Sequence, residues 1–202
     1  MLRRTIAVAV VLSLSTLGAV AEVSKNPQSA RKGAYEADPD HTGVSFCLSH
    51  MDISTYCGRF NKIKATLTFN GAQPEKSALS VTIDLNGVDT TSAALNDKLR
   101  KELFKTDKTP TATFTSTSVA TTGTGEGTVT GDLAINGTTK PVTLKVKFNG
   151  GQAFPFGDKY QLGFSAEASF KRSEFGLTDM VGAQFAGDEV TLTINAEFLS
   201  KN

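Results

Sequence analysis

Lys62-Ile63-Lys64-Ala65-Thr66-Leu67-Thr68-Phe69 is the stretch that decides the fold. Ile63, Ala65, Leu67 and Phe69 alternate with Lys62, Lys64, Thr66 and Thr68, the period-two pattern of a strand with one dry and one wet face. The pattern recurs on both sides. Upstream, Val44, Phe46, Leu48 and His50 oppose Ser45, Cys47 and Ser49. The apolar face changes between Phe60 and Ile63, which predicts a bulge or bend near residues 58–62. Downstream, Leu79, Val81, Ile83 and Leu85 alternate with Ser80, Thr82 and Asp84. Pro110 opens a strand through Phe114, and a Gly/Thr turn over residues 121–127 leads into another over 128–135. Asn136-Gly137 is a strong hairpin signal, followed by Val142, Leu144, Val146 and Phe148. Two late strands cover residues 160–170 and 189–198.

One helix interrupts the strands, over residues 92–104. Ser92 can cap it, and Leu95, Leu99, Leu103 and Phe104 share one face. The glycines at 123, 125 and 127 do not match Gly-x-Gly-x-x-Gly and no helix follows them, so they read as a turn rather than a phosphate loop. The sum is an all-β chain of about eight strands, mostly hairpin-connected, with a short helix between the third and fourth. Each strand has one apolar face that must be covered, by a sandwich or a barrel. Closure into a barrel also removes exposed edges. Eight strands enclose room for side chains or for one small ligand.

Composition narrows the partners. The 202 residues carry 21 Lys+Arg against 20 Asp+Glu, a formal net charge of +1, which excludes a basic nucleic-acid footprint. Residues 1–21 read as a cleavable signal peptide. Arg3 and Arg4 precede an apolar run over 6–17, and Ala19-Val20-Ala21 supplies the small residues of a cleavage site. Residues 22–33 are polar and without periodicity, and read as a flexible leader to a domain over 34–202. Export changes the reading of Cys47 and Cys57, ten residues apart and alone in the chain. A structural disulfide is favoured over a buried thiol pair, and redox chemistry would want the closer Cys-x-x-Cys spacing.

Five stretches, in order, carry a resemblance. They are Asp38-Pro39-Asp40-His41-Thr42-Gly43-Val44-Ser45-Phe46 through His50; Gly58-Arg59-Phe60; Asn96-Asp97-Lys98-Leu99-Arg100 with Pro110 and Phe114; Gly131-Asp132-Leu133 with Asn136-Gly137-Thr138-Thr139-Lys140-Pro141-Val142; and Lys171-Arg172-Ser173-Glu174-Phe175-Gly176-Leu177 with Gly187-Asp188-Glu189-Val190. From about Tyr35 to the C-terminus the chain resembles the YceI-like family of exported lipid-binding proteins. The resemblance implies an antiparallel, eight-stranded, lipocalin-like barrel. Its tunnel would hold a long-chain isoprenoid or other amphiphile, such as a polyprenyl phosphate, an isoprenoid quinone or a fatty amide. Many relatives have His where this chain has Lys98, a position that either meets the ligand head or is simply exposed. The expected location is the periplasm, with transient contact with a membrane surface and a homodimer as further partners.

The expected ligand-binding residues are Phe46, Leu48, His50, Phe60, Leu99, Phe104, Phe114, Phe170, Arg172, Phe175 and Leu177. His50 shares a face with Val44, Phe46 and Leu48 and is expected to point inward, either as a satisfied interior histidine or as a ligand contact. Arg172, Arg100 and Lys98 are candidates for a phosphate head or solvated surface charges. Neither a Gly-x-Ser-x-Gly elbow nor a paired carboxylate occurs, and two scattered histidines make no metal motif. No catalysis, cofactor or metal is expected. Two other readings stay open: a filled-core β-domain acting as an adhesion or interaction module, and a hydrolase or isomerase with His50 as base.

Overall fold

The computed structural model describes residues 22–178, 180 and 184–201. The expected signal peptide over 1–21 lies outside the described residues. The strands are β1 (Gly33–Ala37), β2 (Gly43–His50), β3 (Ser54–Phe60), β4 (Ile63–Phe69), β5 (Ala78–Asp84), β6 (Val88–Asp89), β7 (Thr111–Gly123), β8 (Glu126–Ile135), β9 (Thr138–Ala153), β10 (Tyr160–Lys171) and β11 (Glu189–Ser200). They form one antiparallel sheet in the order β1-β4-β5-β7-β8-β9-β10-β11-β2-β3-β6, and β1 also pairs with β11. The eight strands β1, β4, β5, β7, β8, β9, β10 and β11 therefore close a barrel.

The remaining three are continuations of barrel strands across bends. In β1 and β4, Glu36 faces Thr66; beyond the bends, in β2 and β3, Val44 faces Phe60. The bend expected near residues 58–62 falls at Asn61 and Lys62, between β3 and β4. Counting continuous strands, the helix stands between the third and the fourth. Burial in β4 alternates at every residue, as the opening stretch requires.

The β2–β3 hairpin runs past the barrel wall, with Cys47 directly opposite Cys57. The two are disulfide-bonded with a Cα–Cα distance of 4.1 Å. Directly opposed residues of antiparallel strands come close enough for this without moving the backbone.

The helix starts where its cap places it. Ser92 Oγ accepts from the Leu95 amide at 3.3 Å, and α1 (Ala93–Lys98) continues into a π-turn over Leu99–Leu103. Phe104 is thereby turned into the core. The helix is fastened to the β8–β9 turn. Asn136 and Gly137 both have positive φ, at 51° and 76°, as the tight turn requires. The Asn136 side chain donates to the Leu103 carbonyl at 2.8 Å and accepts from Thr109 at 3.1 Å.

Within residues 22–33, expected as a flexible leader, Ser24 and the Pro27–Ser29 turn are held against the opposite end of the barrel. Ser24 exchanges two 2.9 Å backbone hydrogen bonds with Gly151, and Pro27–Ser29 form a 3-10 turn capped by Asn26. Gly71 lies so close beneath this segment that a Cβ there would stand 1.8 Å from the Pro27 carbonyl oxygen.

Candidate functional site: a blind apolar cavity

The inward faces of eight strands do not fill the barrel. A cavity of ≈ 830 Å³ runs down its interior, within the range of small-molecule sites. Its wall is built by the alternating residues: Ile63, Ala65, Leu67 and Phe69 from β4; Leu79, Val81 and Ile83 from β5; Val142, Leu144, Val146 and Phe148 from β9; Leu192, Ile194, Ala196 and Phe198 from β11. The mouth lies between Asn26–Gln28, the β4–β5 turn and the β7–β8 hairpin, where Ser77, Thr121, Thr122, Thr124 and Thr128 line it. From Thr121 down to Phe114 on β7 is roughly 24 Å of strand, or roughly 18 Å of depth at a usual barrel tilt.

The floor explains why the tunnel is blind. Phe114, Leu133 and Phe104 pack with Phe175, Leu177, Leu85 and Val88 in one cluster, against which Phe46, Phe60, Leu99 and Phe170 rest. Ring contacts link Phe46 to Phe60 at 5.5 Å, Phe60 to Phe104 at 5.9 Å and Phe170 to Phe175 at 5.1 Å. The Phe114 ring needs Gly131, where a Cβ would stand 2.5 Å from the ring. Phe46 needs Gly58 in the same way. Nearer the mouth, Phe69, Phe148, Phe164 and Phe198 form an aromatic patch with ring centroids 5.4–6.0 Å apart.

Of the eleven residues expected to meet a ligand, Phe114 lines the cavity. Phe46, Phe60, Leu99, Phe104, Phe170, Phe175 and Leu177 belong to the floor cluster beneath it. Leu48 is half-buried on the overhanging hairpin. His50, expected to point inward, is exposed: the hairpin has passed the end of the barrel, so its alternating face no longer meets a core. Arg172 is 5% exposed and lies under the loop that follows β10. Its Nε donates to the Gly187 carbonyl at 3.0 Å, Nη1 to Leu177 at 2.6 Å and Nη2 to Ala186 at 2.7 Å. Lys98 is exposed, and Arg100 pairs with Asp97 at 2.9 Å. The aromatic patch and the threonine rim were not among the expected site residues. Period two marks a residue as inward but gives no position along the barrel axis.

The motif around Asp38 serves the bend between β1 and β2. The Asp38 amide donates to the Glu197 carbonyl at 2.8 Å, and His41 Nδ1 lies 2.9 Å from Asp38 Oδ2. Donor atoms of Asp38, His41 and Glu197 lie within 4.8 Å of one another, a metal-compatible grouping on the barrel's outside. The hydrogen bond to Asp38 raises the His41 pKa above its ordinary 6.5, and the same bond lowers Asp38 below 3.8. Their contribution to stability is therefore lost as pH rises through the raised His41 value, and as pH falls through the depressed Asp38 value. The His41 side chain is 62% exposed, so solvent screening keeps the contribution small. In an NMR titration the His41 ring should titrate above 6.5; Asp38→Asn should bring it back down, and an unchanged midpoint would remove the pair's role.

A closed antiparallel barrel with a blind apolar interior defines a lipocalin-like protein. The model of the YceI-like domain matches residues 35–198. Protein YceI of Salmonella newport (strain SL254) is 40% identical over 172 residues, covering 84% of this chain and 88% of the relative. The chain belongs to the YceI family. Solved structures agree on the fold. Burkholderia cenocepacia BcnA aligns with a TM-score of 0.69 at 26% identity, over 80% of this chain and 98% of that one. The Campylobacter jejuni YCEI protein aligns at 0.69 and 29% identity, over 76% and 90%. A polyisoprenoid binding domain from Saccharophagus degradans aligns at 0.56 and 15% identity, over 84% and 99%.

Proposed function

We propose that the chain is an exported, non-catalytic carrier or sequestering protein that holds a long-chain amphiphile in its barrel. The carrying observation is the cavity: deep, walled by apolar side chains of the barrel strands, floored by the aromatic cluster and lined by threonines at the β7–β8 end. Burial of a prenyl or acyl tail gains about 0.8 kcal/mol per CH₂, so such a wall binds tightly without specific polar contacts. Polyprenyl phosphates, isoprenoid quinones and fatty amides all carry a tail of this kind. The Saccharophagus degradans domain shares the fold at 15% identity, and the cavity of this chain supports a ligand of the same general kind. Non-catalysis is supported by the lining, where Glu126 at the mouth is the one ionisable residue among those described. Residues 1–21 direct export in this reading, and the periplasm is the compartment proposed.

Tail length is the direct test. Calorimetric titration with alkanols of increasing length should show affinity rising about threefold to fourfold per methylene until the tail reaches the floor, then levelling. Absence of binding at every length would remove the carrier and leave a surface-acting β-domain.

A carrier of membrane lipids also has to meet a bilayer. Phe156, 87% exposed, sits in the β9–β10 loop with Phe154 5.7 Å away. This loop extends past the mouth, since the Phe148 amide donates to Gly125 at the hairpin tip and β9 continues to Ala153. The chain has no Trp, so Phe156→Trp gives a lone reporter. Its emission should shift to the blue on adding phosphatidylglycerol vesicles, whereas an unshifted spectrum would place membrane contact elsewhere or nowhere.

A further inference from the structure

The mouth of the cavity carries information about the ligand's head that the apolar wall does not. Uncharged residues line it: Thr121, Thr122 and Thr124 with Asn26 and Gln28. Among the described lining residues none is Lys, Arg or His, and Glu126 is acidic. Lys25 and Lys76, which adjoin the rim in sequence, and Lys147, which faces Glu126 across the strands, do not line the cavity. Lys25 Nζ donates to the Asn149 carbonyl. Lys147 alternates with the wall residues Val146 and Phe148 and is exposed on the outer face. Lys76, in the β4–β5 turn, is exposed and does not line the cavity.

We infer that this cavity selects amphiphiles with an uncharged, hydrogen-bonding head, an alcohol, amide or quinone, over those ending in a phosphate. The inference rests on the carrier reading and narrows it. Hydroxyls and amides both donate and accept, so they match a neutral head that does the same. A phosphate drawn to the rim exchanges water for weak donors, without a lining cation or guanidinium fork to compensate its desolvation. Phosphate oxygens accept only and so offer nothing to an amide's acceptor oxygen, although that of Asn26 is already held by the Gln28 backbone amide.

The test holds one prenyl tail constant and changes its head. The free prenol and its monophosphate are titrated into the protein below their micelle-forming concentrations. The prenol should bind at least about tenfold more tightly, a difference of about 1.4 kcal/mol. Thr122→Arg should then narrow or reverse that ratio by raising phosphate affinity, a gain that misfolding cannot produce. Equal affinities, or a tighter phosphate, overturn the inference and leave the carrier intact. Binding of neither overturns the carrier reading, and the inference falls with it.

Discussion

Ala166→Phe should leave the barrel folded and reduce uptake of a long-tailed ligand by more than about 100-fold. Ala166 lines the cavity from β10, where it pairs with Val146 of β9 and with Ile194 of β11. It lies one inward position below Phe164, which pairs with Phe148 in the aromatic patch near the mouth. A phenyl ring there grows into empty space, so the overpacking that penalises enlarged core residues does not arise. The ring cuts off the lower half of the tunnel, walled by Leu144, Val142, Leu133 and Phe114. Excluding even four methylenes forfeits about 3 kcal/mol, which is the stated fall in affinity. Calorimetry with a prenol measures the loss, and an unchanged thermal midpoint separates blockage from unfolding. Retained affinity would mean that the tail does not go down the barrel.

Arg172→Ala should do the reverse, costing stability while leaving the preference among ligand heads unchanged. The guanidinium is the donor to three carbonyls, Gly187, Leu177 and Ala186, and so ties the segment after β10 to the loop leading into β11. Truncation leaves those acceptors without that donor, and a buried acceptor without a partner costs about 1–3 kcal/mol. Because part of the loop can be reached by water, a total near 3 kcal/mol is expected, or a fall in melting temperature of roughly 6–12 °C. Arg172→Lys should recover little, since an ammonium cannot reproduce the fork. Thermal unfolding reads the first effect. The second is read by titrating the prenol and its phosphate: selective loss of the phosphate would return Arg172 to a head-group role.

The contrast between these two residues shows what sequence patterning conveys. Alternation in residues 62–69, the turn at Asn136-Gly137, the cap at Ser92 and the bend between Phe60 and Ile63 are local signals, and each corresponds to the structure described. Closure of the ring, with Tyr35 paired to Ser200 and Ala37 to Phe198, is a meeting of chain ends that no local pattern encodes; the family resemblance pointed to it. Depth along the barrel was not legible either. Phe60, Phe104 and Phe175 are as inward as Phe69 and Phe148, yet the first three pack in the floor and the other two line the open cavity. Which of these happens depends on how far each strand has climbed when its phenylalanine arrives. Arg172 misleads in another way. A charged side chain is ordinarily solvated, and here the carbonyls of Leu177, Ala186 and Gly187 around the guanidinium make burial favourable. β3 hid for a simpler reason: Gly58 occupies its central inward position to admit the Phe46 ring, which erases the alternation.

Native mass spectrometry of the protein, recovered without denaturant and set beside Ala166→Phe, tests the central claim most directly. A deep apolar barrel that carries an amphiphile predicts an added mass of roughly several hundred daltons on the parent chain. Organic solvent should remove that mass, and the variant should lack it. A parent chain of bare mass, which also fails to take up a prenol, a quinone or a fatty amide when each is offered, would contradict the account.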